Sequence, residues 1–226
     1  MRLPVAALLL AGSAMSTAGG DTLPHSQSRH VIYLHGRIVQ VEQSSRPKHP
    51  AYGYYELEKI LDTFQGRGFV VTGEIRPKSA TVSDSADRVV EQVRRLLEAG
   101  VPADHVTVVG GSMGAAIALV ASARLQNPKV RLGVLGICLS NSVQRLVANE
   151  DKGPVGHVLA IREATDEVTG SCPAWKDDPE SSSPLVAREV VLETGLRHGF
   201  LYRPIPAWVD PVVEWVNGKS EAVDGL

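Results

Sequence analysis

The stretch that decides the fold is Val106-Thr107-Val108-Val109-Gly110-Gly111-Ser112-Met113-Gly114-Ala115-Ala116-Ile117-Ala118-Leu119-Val120. Its β-branched start favours a strand, and its Ala-rich end, running to about Gln126 before Pro128, favours a helix. Between the two lies Gly-x-Ser-x-Gly, the pattern of a nucleophile elbow, in which a serine sits on a strained strand-to-helix turn. Gly110 and Gly114 fit that turn because a side chain at either would collide with neighbouring backbone. Ser112 is then presented at the carboxyl end of its strand.

Outward from this turn, apolar periodicity alternates between short and long segments. Strands are expected over 30–34, 69–75, 106–109, 132–138, 155–161 and 186–193. Helices are expected over 54–65, 83–99, 113–126, 142–148 and 207–216. Near-continuous apolar strands separated by helices predict an α/β fold: a six-stranded, mainly parallel sheet covered on both faces. Ser83 or Asp84 can cap the second helix, Gly100 and Pro102 end it, and Pro206 suits the first turn of the last. Gly170 to Pro184, polar and broken by three prolines, reads as a surface loop.

The chain has 226 residues, of which 43% are hydrophobic and 21% charged, enough for one globular domain over 19–226. A net charge of -2 provides no basic field, and with no recognised motif this argues against a nucleic-acid partner and for a small-molecule substrate. Residues 1–18 combine one arginine, a short apolar run and small residues ending at Ala18, the grammar of a signal peptide. Export to the periplasm or medium after cleavage near Ala18 is expected, and the apolar run is too short to anchor the mature chain in a bilayer. Cys138 and Cys172 show no zinc spacing, and whether they pair is open at this point, as is the oligomeric state.

A nucleophilic serine needs a base to take its proton and a carboxylate to orient that base. In an open parallel sheet all three must lie beyond the carboxyl ends of strands. His198, in Thr194-Gly195-Leu196-Arg197-His198-Gly199-Phe200, meets this demand between the last strand and the last helix. His25 and His49 lie in polar or Pro-rich segments, His105 lies at the wrong end of its strand, and His157 lies within one. Asp166 is the favoured carboxylate, with Glu163 and Glu167 as close rivals. A tetrahedral intermediate also needs oxyanion donors. The Met113 N–H is one candidate; the Arg37 N–H, after His35-Gly36 in the loop following the first strand, is the other. His35 is expected to brace that loop rather than transfer protons.

Together these residues resemble the α/β-hydrolase superfamily, in particular its small lidless esterase-like and dienelactone-hydrolase-like members, from about His30 to Trp215. The likeness rests on His35-Gly36, Gly110-Gly111-Ser112-Met113-Gly114, Asp166 and His198-Gly199. It implies a covalent acyl-enzyme on Ser112, general-base catalysis by His198 oriented by Asp166, no cofactor or metal, and a small ester as substrate. Segment 139–154 is too short for a substantial lid, which favours small soluble esters. Thioester or peptide cleavage on the same fold, and a hydrolase-like scaffold that binds without catalysis, are the alternatives. The mixed stretch from Arg37 to Tyr55 reads as a long pocket-building loop. Arg37, Arg76 and Lys78 hint at an acidic acyl or leaving group.

Overall fold

Alternation along the first strand sets the layers of the molecule. In the computed structural model, which describes residues 27–137, 141–169 and 185–219, β1 (His30–Leu34) sends Val31 and Tyr33 to one face and Ile32 and Leu34 to the other. The chain continues through α1 (Arg37–Glu42), a two-stranded hairpin of β2 (Lys48–His49) and β3 (Gly53–Tyr54), and α2 (Leu57–Gly66). There follow β4 (Val70–Thr72), α3 (Val82–Glu98), β5 (Val106–Gly111), α4 (Met113–Leu125), β6 (Arg131–Leu135) and α5 (Asn141–Ala148). The last elements are β7 (Gly156–Glu163), β8 (Leu185–Leu192), a 3-10 turn (Arg197–Tyr202) and α6 (Pro206–Val216). The expected signal segment, His25, both cysteines and the Pro-broken stretch 170–184 lie outside the described residues.

Six strands form one sheet in the order β4-β1-β5-β6-β7-β8, and every pairing in it is parallel. Ile32, Val108, Leu132 and Val158 are in register across its centre. One core face packs Val31, Tyr33 and Val109 against Phe64 of α2 and Trp208 of α6. The other packs Ile32, Val108 and Val134 against α3 and α4, with Val143 of α5 in the same cluster. Burial of each such side chain is worth about 1.5–3 kcal/mol. α4 is buried without interruption from Gly114 to Ala123, which accounts for its small, apolar composition. From β1 the chain moves to β4 on one side, then crosses back to β5 on the other. The loops after β1 and β5 therefore part in opposite directions and leave a crevice at the carboxyl ends of these two strands.

Several boundaries differ from expectation. The stretch from Arg37 to Tyr55 is not simply a loop: it holds α1 and the β2–β3 hairpin. α1 carries no side-chain cap and is rich in β-branched residues, so its helicity comes from packing. Val39 is fully buried, and the Gln40 amide donates to the Ala80 carbonyl at 2.7 Å. β4 ends at Thr72 rather than near Ile75, and four residues later the Arg76 N–H is taken by His35 Nε2 at 3.1 Å. The cap of α3 is Thr81, not Ser83 or Asp84; Asp84 occupies the third helical position and its carboxylate accepts from the Thr81 N–H, completing a capping box. α5 packs on α4 as part of the helical wrapping. Among the described residues no helix is long and apolar enough to cross a membrane.

Candidate active site

The crevice between β1 and β5 contains the turn around Ser112. Ser112 has φ 52° and ψ -118°, a strained combination for a residue with a side chain, and it caps α4 directly. The turn is possible because its flanks are glycines: a methyl group at Gly110 would run into the backbone of Gly114 and Ala115, and one at Gly114 into the Leu34 carbonyl. The Ser112 N–H donates to the Leu135 carbonyl at 2.8 Å, which fixes the turn to the end of β6.

Ser112, His198 and Asp166 form one hydrogen-bonded chain. Ser112 Oγ lies 3.0 Å from His198 Nε2, and His198 Nδ1 lies 2.7 Å from Asp166 Oδ2. Because the carboxylate can only accept, Nδ1 carries the proton and Nε2 presents its lone pair to the serine hydroxyl. Asp166 Oδ1 also accepts from the Val168 N–H at 2.9 Å, and Oδ2 from the Thr169 hydroxyl. Burial pushes the Asp166 carboxyl upward, but the hydrogen bonds from His198, Thr169 and Val168 outweigh it and hold the group below the usual aspartate range. It is ionised at neutral pH.

The three acidic candidates have three different partners. Asp166 meets His198, while Glu163, 1% exposed, accepts from the Thr194 N–H at 3.0 Å, the Thr194 hydroxyl at 2.6 Å and the Gly195 N–H at 3.2 Å. Glu167 forms an exposed pair with Arg197. Glu163 thus ties the end of β7 to the segment that delivers His198, a contribution not recognised in the sequence. Thr169, three residues after Asp166, was likewise missed; a hydroxyl at that spacing beside a favoured carboxylate was the available signal.

Arg37 and Met113 are the first residues of α1 and α4, so their N–H groups have no acceptor within their own helices. The two turns are close: a methyl group at Gly36 would lie 3.8 Å from Ser112 Cβ, ordinary van der Waals contact. His35 sits beneath, fully buried. Its Nε2 accepts from the Arg76 N–H, so Nδ1 bears the proton and donates to the Gly36 carbonyl at 2.8 Å. Burial, aided by the Arg76 charge, lowers its pKa to about 4, and the ring is a neutral brace. The Gly36 N–H reaches the Tyr55 hydroxyl at 3.5 Å, and Tyr55 bonds Tyr33 at 2.8 Å.

A cleft of about 280 Å³ opens over Ser112 and His198. Of the three cations expected near it, only Arg37 lines it. Arg76 is 5% exposed and donates to the His35 carbonyl at 2.7 Å and to Gln40 Oε1 at 3.2 Å, so it braces the loop and is not presented to a ligand. Lys78 is exposed away from the cleft lining. The lining also includes His49, Tyr52 and Tyr202, from the hairpin and the 3-10 turn. Among the described residues no group of three His, Cys, Asp or Glu is placed to hold a metal ion.

No sequence-family model and no curated protein sequence matches the chain. Solved structures do. A phospholipase/carboxylesterase from Dyadobacter fermentans is 13% identical with a TM-score of 0.54, over 86% of this chain and 93% of that one. A structure of the metagenome-derived lipolytic enzymes LipS and LipT is 14% identical with a TM-score of 0.55, over 87% and 99%. The Francisella virulence factor BioJ is 9% identical with a TM-score of 0.56, over 85% and 77%. At these identities the likeness concerns architecture, and together with the all-parallel sheet it establishes that the chain adopts the α/β-hydrolase fold.

Proposed function

We propose that the protein is a serine hydrolase that cleaves small carboxylic esters through an acyl-enzyme on Ser112. The observation that carries this reading is the unbroken chain Ser112–His198–Asp166, at 3.0 and 2.7 Å, ending on a serine held at φ 52°. In the first step the Ser112 oxygen bonds to the ester carbonyl carbon while His198 Nε2 takes the hydroxyl proton. The resulting oxyanion is received by the Arg37 and Met113 N–H groups, first-turn donors with no acceptor in their own helices. Collapse breaks the bond to the alkoxy group, which leaves as the alcohol with the proton from Nε2. Water then gives a proton to Nε2 as its oxygen bonds to the acyl carbon, and the second tetrahedral intermediate collapses by breaking its bond to Ser112 Oγ, which takes that proton from Nε2 as the acid leaves. Asp166 stays ionised throughout and stabilises the imidazolium in both halves.

The packing of α5 against α4 supports an open cleft, and hence soluble esters rather than an aggregated lipid surface. Export of the chain, on the grammar of residues 1–18, belongs to the same proposal. A fluorophosphonate probe is expected to label Ser112 in the parent protein and to leave Ser112→Ala and His198→Ala unlabelled. Short p-nitrophenyl esters should be hydrolysed, with a loss of several powers of ten, about 10³ or more, in either variant. Folded protein that neither reacts with the probe nor turns over such esters would overturn the reading.

A further inference from the structure

We infer that the cleft selects esters bearing an uncharged aryl group, seated against the Tyr52 ring at the corner where Tyr202 backs it. This rests on the proposed role of Ser112 only for where the ester bond lies; the ring site follows from its own geometry. The chain is just 5% aromatic and has five tyrosines, yet Tyr52, Tyr55 and Tyr202 all line this one cleft. Tyr55 and Tyr202 are 1% and 5% exposed and pack into the core behind the cleft, which leaves the half-buried Tyr52 as the ring open to a ligand.

The rings are arranged as a partial herringbone cluster. Tyr52 and Tyr202 meet at 64° with centroids 5.4 Å apart, and Tyr55 and Tyr202 at 60° and 5.2 Å. His49 stacks on Tyr52 at 4.5 Å and 13°, which holds that ring in place from the side. Tyr52 lies 6.3 Å from the His198 ring, so a group in this corner is next to the reacting bond. Aromatic rings favour offset-stacked and edge-to-face neighbours at about 4.5–7 Å; Tyr202, 5% exposed, already meets Tyr52, Tyr55 and His49 in this way, so it backs the half-buried Tyr52, the ring left to receive a ligand ring. A saturated ring of equal size gains the apolar burial but not the quadrupole term. The cleft, about 280 Å³, is near the lower end for small-molecule sites and suits a single ring plus a short acyl group.

The wall is also fixed by sequence. A methyl group at Gly199, beside His198, would come within 3.1 Å of the Tyr52 ring, so glycine at this position lets the hairpin pack against the turn carrying His198. Tyrosine-lined sites also bind organic cations, which would need a carboxylate or at least no competing cation. Among the described residues the cleft lining includes Arg37 and no Asp or Glu, which disfavours a cationic ligand.

Benzyl acetate and cyclohexylmethyl acetate test this directly, because their alcohols differ little as leaving groups and only one ring is aromatic. The parent is expected to show kcat/KM about three- to tenfold higher for the benzyl ester. Tyr52→Leu should bring the ratio towards one and Tyr52→Phe should retain it. Binding of the same two esters to Ser112→Ala, followed by protein chemical shifts, reads the preference without turnover. Fluorophosphonate labelling of Ser112 in the parent and Tyr52→Leu monitors the folded nucleophile separately. Equal binding and equal turnover of the two esters, or a ratio unchanged in Tyr52→Leu, overturns the aryl site while leaving the hydrolase reading intact. A preference for choline acetate over its uncharged isostere 3,3-dimethylbutyl acetate would assign the corner to a cation and overturn it as well.

Discussion

The Glu163 carboxylate and the Thr194 hydroxyl, 2.6 Å apart, join the end of β7 to the segment leaving β8. Asp166 and His198 lie three and four residues beyond these two anchors, so the contact sets the separation of the strands' exits and thereby where the imidazole meets its carboxylate. The same Glu163 side chain holds the Thr194 and Gly195 N–H groups.

Glu163→Ala removes the acceptor from Thr194 and Gly195 and from the Thr165 hydroxyl as well. Because Thr194 and Gly195 are themselves exposed, water can replace part of the loss, and the expected cost is about 1–2 kcal/mol in urea unfolding. The larger effect is on aim: kcat should fall about tenfold or more with KM little changed, since substrate is bound by other residues. Glu163→Gln, which keeps one acceptor oxygen, should recover part of the rate. The pH dependence has a definite sign. Burial pushes the Glu163 carboxyl up, yet the hydrogen bonds from Thr194, Gly195 and Thr165 outweigh it and lower the pKa. Its stabilising contribution is therefore complete above the ordinary glutamate value of about 4.3 and is lost as pH falls through the lower folded value. An acid-unfolding curve unchanged by Glu163→Gln would contradict this.

Strain at Ser112 is measurable without catalysis. Ser112→Ala and Ser112→Gly both lose the bond to His198, but only glycine adopts φ 52°, ψ -118° without steric cost. Relief of about 1–3 kcal/mol, less about 0.5–1 for the added freedom of the unfolded glycine, leaves Ser112→Gly about 1 kcal/mol more stable than Ser112→Ala. Chemical denaturation of the two inactive variants gives the difference, and equal stability would mean that the turn stores no strain.

The scaffold was readable in the sequence because its signals are strong and local. Val106 to Val109 and the Ala-rich run after Ser112 carry their own secondary structure, and the three side chains of the candidate site follow strands in chain order. α1 and the hairpin escaped because their order is tertiary: a six-residue helix with no cap is held by buried Val39 and Gln40, and the hairpin pairs only four residues. Arg76 was misread for a related reason. A cation after a strand looks solvated in sequence, and only the fold shows the His35 carbonyl and Gln40 waiting for it. The aromatic corner was equally hidden, since Tyr52 and Tyr202 are far apart in the chain and meet only once the hairpin docks.

Gly114 is a stricter requirement than its place in a short motif suggests. A Cβ there would overlap the Leu34 carbonyl carbon and oxygen at the end of β1, which are backbone atoms and cannot rotate aside. Gly114→Ala must separate α4 from β1, disturbing Ser112 and the Gly36 turn together. The expected loss is about 3 kcal/mol or more, with activity falling by at least about a hundredfold in whatever folds. Gly66→Ala, whose added Cβ meets nothing within 4 Å, is the matched control and should stay within about 1 kcal/mol of the parent. Near-parent stability in Gly114→Ala would show that the two elements are less tightly apposed than described.

The buried His35 makes the turn between β1 and α1 a source of pH-dependent stability well above the range where carboxylates titrate. Its folded pKa is about 4 against 6.5 for the free side chain, because burial and the neighbouring Arg76 charge oppose protonation. Above about pH 6.5 the ring is neutral in both states and its contribution is complete. As pH falls from about 6.5 to about 4 the unfolded chain takes up the proton first, so the folded state loses ground at up to about 1.4 kcal/mol per pH unit. The parent should therefore lose about 2 kcal/mol more than His35→Gln between about pH 7.5 and about pH 5, where Gln retains an acceptor for the Arg76 N–H but cannot titrate. Urea unfolding of both proteins at the two pH values supplies the comparison. Parallel losses in the two would mean that His35 takes up its proton as readily in the folded protein as in the unfolded chain, and the neutral brace beneath Gly36 would then be the wrong description of the loop.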